Sequence, residues 1–452
     1  MGRSTPGKFA YQVVYRYLHD LIEGAPRSGQ LRLPSLRVLA RSLRVSLATV
    51  QSAYGLLEHE GRVVSVPKRG YFVRAGDDAE GRRGAALPVL LGQGASMPED
   101  SCLEHALHRH ERRLTRLSAQ YSGSAANVGA ERLRAVVAKR YIRSSRHTWR
   151  AEDVHLGPDV QAVLATLLAA IGLTGRTALV TSPCCWRLLT VLHDMGVRVL
   201  EVPCAASGQV DLAAMARLLL SEPVHAVVLP SCLGMPQGRV LAEDEQRAIA
   251  GLLAEHPVWV LENDLDSERC FNTPPMVRLR DLVNPSWLLV LGSLAATVGA
   301  EAPYAYVLSR HAEVARAFDR RCFELAPVRQ HALACLLAKG EADAHLRRWR
   351  GEMQGATGLL CQQLRAHCGQ HMAFVEPEGG GAVWIRLADA TAVRQAVAAL
   401  VGSTLQAIPG ARFSAQGHHA QWLAVVWLDR QPASLQAALQ RLASVLEPGG
   451  ER

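Results

Sequence analysis

Between Leu33 and Val73 the spacing of apolar residues switches once, from a helical period to strict alternation, and few small folds accommodate that switch. Ahead of it, Val13, Val14, Tyr17, Leu18, Leu21 and Ile22 fall at helical spacing within Phe9 to Ile22 and predict a supporting helix. Ser35 can cap a second helix whose Leu36, Leu39, Ala40 and Leu43 face inward. Ser46 can cap a third, with Val50, Ala53, Tyr54 and Leu57 inward and Leu47, Thr49, Gln51 and Ser52 outward. After Gly61, the run Val63, Val64, Val66, the turn Pro67-Lys68-Arg69-Gly70 and then Tyr71-Phe72-Val73 predict a hairpin with a basic tip.

Charge gives this segment a function. Residues 1–75 hold twelve Lys/Arg against four Asp/Glu, a local balance of +8 in a chain whose net charge is +9. A basic excess confined to one small domain indicates a localised phosphate-binding face, not a generally sticky surface. Two helices and a wing on such a face read as a reader of double-stranded DNA.

The chain, at 452 residues, is too long for one ordinary core. Residues 76–87, GDDAEGRRGAAL, lack periodicity and predict a linker after the 1–75 domain. From residue 88 to 452, strand-like runs (Ala178 to Thr181, Val197 to Val202, Ala226 to Leu229, Trp259 to Leu261, Trp287 to Leu291) alternate with helical patterns. Alternation of this kind predicts an α/β body with a mainly parallel sheet and helices on both faces. The expected large lobe spans about 130–325. A smaller α+β lobe is expected from about 88–125 and 330–452, with a strand after the glycine turn Gly379-Gly380-Gly381. No run of 18 apolar residues and no signal-like N-terminus appear, so a soluble cytoplasmic protein without a membrane partner is expected. Ten scattered cysteines without a C-x-x-C pair fit reduced thiols, with Cys184-Cys185 as the alternative of a redox sensor.

The Leu33 to Val73 stretch resembles the GntR-type winged helix. Leu33, Pro34, Ser35, Arg37, Leu39, Ala40, Val45, Ser46, Thr49, Val50, Ala53, Tyr54, Leu57, Glu60, Gly61, Gly70, Phe72 and Val73 all fall on that pattern. The resemblance implies DNA contacts from Arg37, from Ser46, Leu47, Thr49 and Gln51 at the recognition helix, and from Lys68, Arg69 and Gly70 in the wing. Leu47 stands where the family often has arginine. A leucine can touch a thymine methyl but cannot grip guanine bidentately, so base preference should differ.

The body resembles the fold-type I aminotransferases, through Tyr121, Gly129-x-x-x-Leu133-Arg134, Gly157-x-x-x-Gln161, Ser182-Pro183, Leu229-Pro230-Ser231, Pro236-Gln237-Gly238, Glu262-Asn263-Asp264, Gly292-Ser293, His345-Leu346-Arg347 and Pro377-x-Gly379-Gly380. Together the two parts resemble the MocR subgroup of GntR regulators, in which this scaffold binds pyridoxal 5′-phosphate (PLP).

Measured against that resemblance, the pocket is degenerate. The position of the Schiff-base lysine is Ala296, with the nearest lysines at Lys139 and Lys339. The position of the aspartate that pairs with the pyridine nitrogen is Asn263, which brings no counter-charge. The family tyrosine falls on Leu265 or Asp266. The phosphate seat reads Gly157-Pro158-Asp159, where a proline removes a donor and an aspartate repels phosphate. The phosphate arginine falls on Pro303, and the late strand Gln421 to Trp427 lacks the carboxylate-binding arginine. Trp186 lies near the family's ring-stacking aromatic and either stacks there or plugs the vacated pocket.

The expectation is therefore a pseudo-aminotransferase without PLP, fused to a DNA reader: a homodimeric transcriptional regulator. Its body serves dimerisation and the sensing of an effector other than PLP, or binds a partner, or has a filled pocket. The alternatives are a PLP-dependent aminotransferase or PLP-responsive regulator with a DNA-binding appendage, and a protein-interaction scaffold. Glu262, Asp264, Asp266 and Glu268, with Asp159, could gather acids for a cation or amine, but solvated or capped acids explain them better. His105, His108 and His110 do not share one helical face, so no metal site is expected.

Overall fold

A computed structural model of the chain describes Val14, Leu18, residues 33–43, 45–47, 49–51, Tyr54, 63–66, 70–73, 102–118, 125–299 and 302–446. The chain divides into two compact units, Met1–Leu87 and Pro88–Arg452. The linker expected at 76–87 and the wing residues Lys68 and Arg69 lie outside the described residues.

In the first unit, Leu36–Leu43 is a helix, opened by the Ser35 hydroxyl, which accepts the N–H of Val38 at 3.4 Å. Ser46 repeats the device, accepting the N–H of Thr49 at 3.1 Å. Val63–Val66 and Gly70–Val73 pair antiparallel, with Val66 opposite Gly70. Val14, Leu18, Leu33, Leu39, Val50 and Tyr54 form the core. Tyr54 ties it together: its hydroxyl donates to the Pro34 carbonyl at 2.6 Å and its ring meets that of Tyr71 at 4.5 Å. Leu33 N–H donates to the Tyr71 carbonyl at 2.9 Å, so the hairpin is docked on the helices through its inner strand.

The second unit is built on a seven-stranded sheet in the order Val154–Gly157, Ala305–Leu308, Leu288–Ser293, Trp259–Asn263, Val224–Pro230, Thr177–Ser182, Arg198–Pro203. All neighbours are parallel except Ala305–Leu308, which runs against both of its partners. Helices Val160–Ala170, Trp186–Asp194 and Ala312–Arg321 cover one face. Ala125–Arg143, Pro327–Ala338, Leu212–Ser221 and Glu243–Ala254 cover the other. The five runs expected to be strands lie in this sheet because, buried on both faces, they read as continuous apolar sequence.

A four-stranded antiparallel sheet, in the order Ala373–Phe374, Ala382–Arg386, Trp422–Trp427, Leu405–Pro409, forms the smaller lobe. It packs on Ala390–Leu400, Pro432–Leu446 and the end of the long helix Glu341–Cys368. One expectation needs correcting. Helix Cys102–Ser118, assigned to the small lobe, packs through Leu103, Ala106, Leu107 and Leu114 into the core under the large sheet. Pro327–Ala338 does the same through Leu333 and Leu336, because its apolar residues match those of Ala125–Arg143. Among the described residues, no helix is long and apolar enough to cross a membrane.

Candidate functional site

Of the four residues expected to face outward on the third helix, Ser52 lies outside the described residues. Leu47 and Gln51 are exposed and Thr49 is half-buried, with its hydroxyl 2.7 Å from that of Ser46. The Ser46 cap therefore holds Thr49 and Leu47 together at the start of the third helix, where small side chains suit a groove. The Arg37 side chain lies outside the described residues, while Gly70 opens the second strand of the wing.

In the body, an open parallel sheet places its ligand crevice at the carboxyl ends of the strands, where Gly157, Ser182, Pro230, Asn263 and Ser293 end theirs. Gly157 is required by crowding: a Cβ there would stand 2.4 Å from Val163 Cγ2 of the following helix. Pro158 follows with no N–H to give. Asp159 then caps the helix Val160–Ala170, its Oδ1 accepting the N–H of Ala162 at 2.8 Å. The positive end of this helix is met by the chain's own carboxylate.

Asn263 turns its side chain on its own backbone, Oδ1 accepting the Leu265 N–H at 3.2 Å. Leu265 is buried with Cys185 and Leu188 in the core of the sheet. Asp266 lies beneath Arg269 at 3.4 Å, both buried, and burial pushes its carboxyl above the usual range against the pull of that guanidinium. The cavity bordered by Pro183, Cys185, Met235, Gln237 and Asn263 measures about 30 Å³. Ala296 lies in the short helical turn Ala295–Val298, and Pro303 is exposed. Among the described residues the lysines are Lys139, on the helix Ala125–Arg143, and Lys339, just after the helix Pro327–Ala338, both exposed and far along the chain from that turn.

Trp186 neither stacks over this cavity nor fills it. It packs on the small-lobe cluster of Trp384 and Phe413, with the Arg187 and Arg412 guanidinium groups 5.5 and 5.7 Å from its ring centre. On the late strand, Trp422 stacks on Trp384 with ring centres 5.4 Å apart. Burial pushes the Cys185 thiol up to about 11 and the Cys184 thiol up as well, which leaves both protonated and poorly nucleophilic near neutrality.

The acids expected as a group are dispersed. Asp159 caps a helix, Asp266 pairs with Arg269, Glu268 receives Arg140, and Glu262 and Asp264 bracket Arg280. His108 pairs with Glu104 and Glu111, while buried His110 meets Glu341 at 3.0 Å. No group of three metal-binding side chains occurs among the described residues.

Two constellations escaped the sequence reading. Buried Arg280 lies 3.4 Å from Glu262 and 3.1 Å from Asp264, over the ring of Tyr141, whose hydroxyl donates to Asp264 at 2.6 Å. The alternation of Arg278 and Arg280 with Val277 and Leu279 was its one signal. Buried Glu201 joins the sheet edge to the small lobe, accepting from Ser182 at 2.7 Å, Ser414 at 2.9 Å, His418 at 3.1 Å and the N–H groups of Ala415 and Gln416. Nothing in the local sequence of Glu201 marks it.

Comparison with known proteins agrees with this architecture. Residues 89–426 match the aminotransferase class I and II family, and residues 10–73 match the bacterial regulatory proteins of the gntR family. The uncharacterized HTH-type transcriptional regulator YjiR of Escherichia coli is 25% identical, over 92% of this chain and 94% of its own length. The probable rhizopine catabolism regulatory protein MocR of Rhizobium meliloti is also 25% identical, over 81% of this chain and 80% of its own. The pyridoxine biosynthesis transcriptional regulator PdxR of Corynebacterium glutamicum is 24% identical over 70% of each. In fold, the chain is similar to the α-aminoadipate aminotransferase LysN of Thermus thermophilus, with a TM-score of 0.68 and 19% identity over 82% of this chain and 96% of that one. The reader and the body thus each have a family, and the chain belongs to the aminotransferase class I and II family, carried behind an N-terminal helix-turn-helix domain of the gntR type.

Proposed function

We propose that the chain is a sequence-specific transcriptional regulator of the cytoplasm. Its winged helix binds double-stranded DNA as one half of a homodimer, and its aminotransferase-like body works without PLP as dimer scaffold and effector sensor. The observation that carries the regulator reading is the reader itself: a closed core around Tyr54 that leaves Leu47 and Gln51 exposed, on the segment that holds nearly all the chain's excess positive charge. Electrostatics supplies the affinity and those side chains the base contacts.

The body departs from PLP chemistry at each group the cofactor would use. Asp159 holds the helix N-terminus, Asn263 is engaged by Leu265, the adjoining cavity holds about 30 Å³, and Ala296 has no amine. Without a lysine and a pyridinium partner, the carbanion step of transamination has neither base nor electron sink. A gel shift with DNA from upstream of the chain's own gene tests the regulator, and loss of all sequence preference would overturn it. Added PLP followed by borohydride tests the body: a reducible absorbance band would favour the rival reading, a PLP-dependent enzyme with a DNA-binding appendage. Light scattering after gel filtration tests the dimer.

A further inference from the structure

Asn263 borders a cavity of about 30 Å³, whereas Asp264, the next residue, borders one of about 250 Å³. Neighbouring residues of an extended chain point to opposite sides, so the two cavities lie on either side of the same strand end. The larger one has room for a small organic molecule with some water.

Its charges are unevenly matched. Arg140 bridges Glu268 and Asp343, and Arg280 sits between Glu262 and Asp264, so each carboxylate in and behind the wall has an ion-pair partner. Arg143, Arg278 and Arg350 border the same space, and among the described residues none has a carboxylate within ion-pair distance. Arg278 is nearly fully buried, spending its Nε on the Pro275 carbonyl at 2.9 Å and its Nη1 on the Ser231 hydroxyl at 3.4 Å. Arg350 spends its Nε on the Glu268 carbonyl at 2.7 Å, and neither of its terminal amino groups has a hydrogen-bond partner among the described residues. A guanidinium's planar fork is matched to a carboxylate.

The wall also holds buried polar atoms with spare bonding capacity. Asp264 Oδ1 and the Ser267 hydroxyl are both buried without a hydrogen-bond partner among the described residues. Burial pushes the Asp264 carboxyl up, but Arg280, Arg278 and the hydroxyls of Ser267 and Tyr141 more than offset this and hold it below the usual range, so the carboxylate is charged and Oδ1 has capacity to accept a further donor.

We propose that this cavity binds a small hydroxylated dicarboxylate, its carboxylates on Arg143, Arg278 and Arg350 and its hydroxyl on Asp264 Oδ1. This deepens the reading of the body as a sensor and rests on it, placing the effector across the strand from the old cofactor position. Arg280 and Tyr141 act as positioning residues, because they fix Asp264 from behind.

The test is calorimetric titration of the full-length protein, without DNA, using malate, succinate, inorganic phosphate and sodium chloride at matched ionic strength. Malate is expected to bind saturably and to raise the unfolding temperature, and succinate to bind more weakly because it has no hydroxyl for Asp264. The double variant Arg143→Gln/Arg350→Gln should weaken malate binding at least about tenfold, since a charge-assisted hydrogen bond is worth about that much. Arg143→Gln alone, at an exposed residue, should weaken it in the same direction and serves if the double variant misfolds. Absence of saturable binding by either dicarboxylate overturns the proposal. So does phosphate binding as tightly as malate, which would mark a general anion site, or malate binding that ignores both variants. Failure here leaves the gel shift untouched, and a lost gel shift with intact malate binding would overturn the regulator reading alone.

Discussion

Asp159 Oδ1 accepts the backbone N–H of Ala162 at 2.8 Å, so the helix Val160–Ala170 begins on a carboxylate that the chain itself supplies. A helix N-terminus of this kind is an anion site, and here the anion is internal. A phosphate entering would have to displace a tethered charge and would meet Pro158 where a donor is needed.

Restoring the lysine alone should therefore fail. Ala296→Lys is expected to give no visible Schiff-base band with added PLP, because Asp159 still holds the helix end and the neighbouring cavity still measures about 30 Å³. A borohydride-stable adduct on the introduced lysine, seen by mass spectrometry, would show that the other losses do not matter. Asp159→Ala should lower stability by about 1 kcal/mol in urea melts, the usual cost of a lost N-cap.

The Glu262–Arg280–Asp264 group makes a larger prediction. Arg280→Met leaves two buried carboxylates facing each other without their shared cation. Breaking such a pair from one side costs about 3–5 kcal/mol, so the variant should show a much lower urea midpoint. Adding Glu262→Gln should recover part of that loss, since burial already pushes the Glu262 carboxyl up against the pull of Arg280. A double variant no better than the single one would separate Glu262 from Arg280 energetically.

How far these features could be read from sequence depends on the distance over which they are encoded. The strands Thr177–Ser182 and Leu288–Ser293 are legible as local apolar runs, and the Ser46 cap is legible from three residues. Val154–Gly157 and Ala305–Leu308 are not: each is four residues long, carries His155 or Tyr306, and pairs with the other across half the body. Arg280 reads as a surface charge because nothing near it shows that Asp264 and Tyr141 will enclose it. Glu201 meets Ser414 across 213 positions, beyond any pattern of spacing. Trp186 shows the opposite difficulty, since its place in a motif suggested a cofactor pocket and its packing turned it to the small lobe.

For DNA, charge and shape separate. Arg37→Ala, Lys68→Ala and Arg69→Ala together should abolish detectable binding at physiological salt. At lower salt they should reduce the slope of log K against log salt by about 2.7, at about 0.9 per lost phosphate contact. An unchanged slope in gel shifts at several salt concentrations would remove these residues from the phosphate face. Leu47 should act on sequence instead, being exposed beside the capped helix start. Leu47→Arg is expected to shift selected sites toward guanine at one position, by about 1–3 kcal/mol of discrimination, as read by selection from random duplexes.

The joint between sheet and small lobe should respond to acid through Glu201. Burial alone would raise its pKa, but the hydroxyls of Ser182 and Ser414 and the N–H groups of Ala415 and Gln416 outweigh it and hold the carboxyl below its ordinary 4.5. A group depressed on folding binds fewer protons folded than unfolded, so its stabilisation is complete above the unfolded value and is lost as pH falls through the folded one. The urea midpoint should therefore fall as pH drops below about 4.5. Glu201→Gln should lower the midpoint at neutral pH, where it removes the charged acceptor of Ser182, Ser414 and the two backbone donors, and should flatten the acid limb. His418, paired with Glu201 at 3.1 Å but half exposed, adds little by comparison, so His418→Gln should leave the acid limb in place. An acid limb that survives Glu201→Gln and disappears in His418→Gln would move the joint's charge from the buried carboxylate to the imidazole.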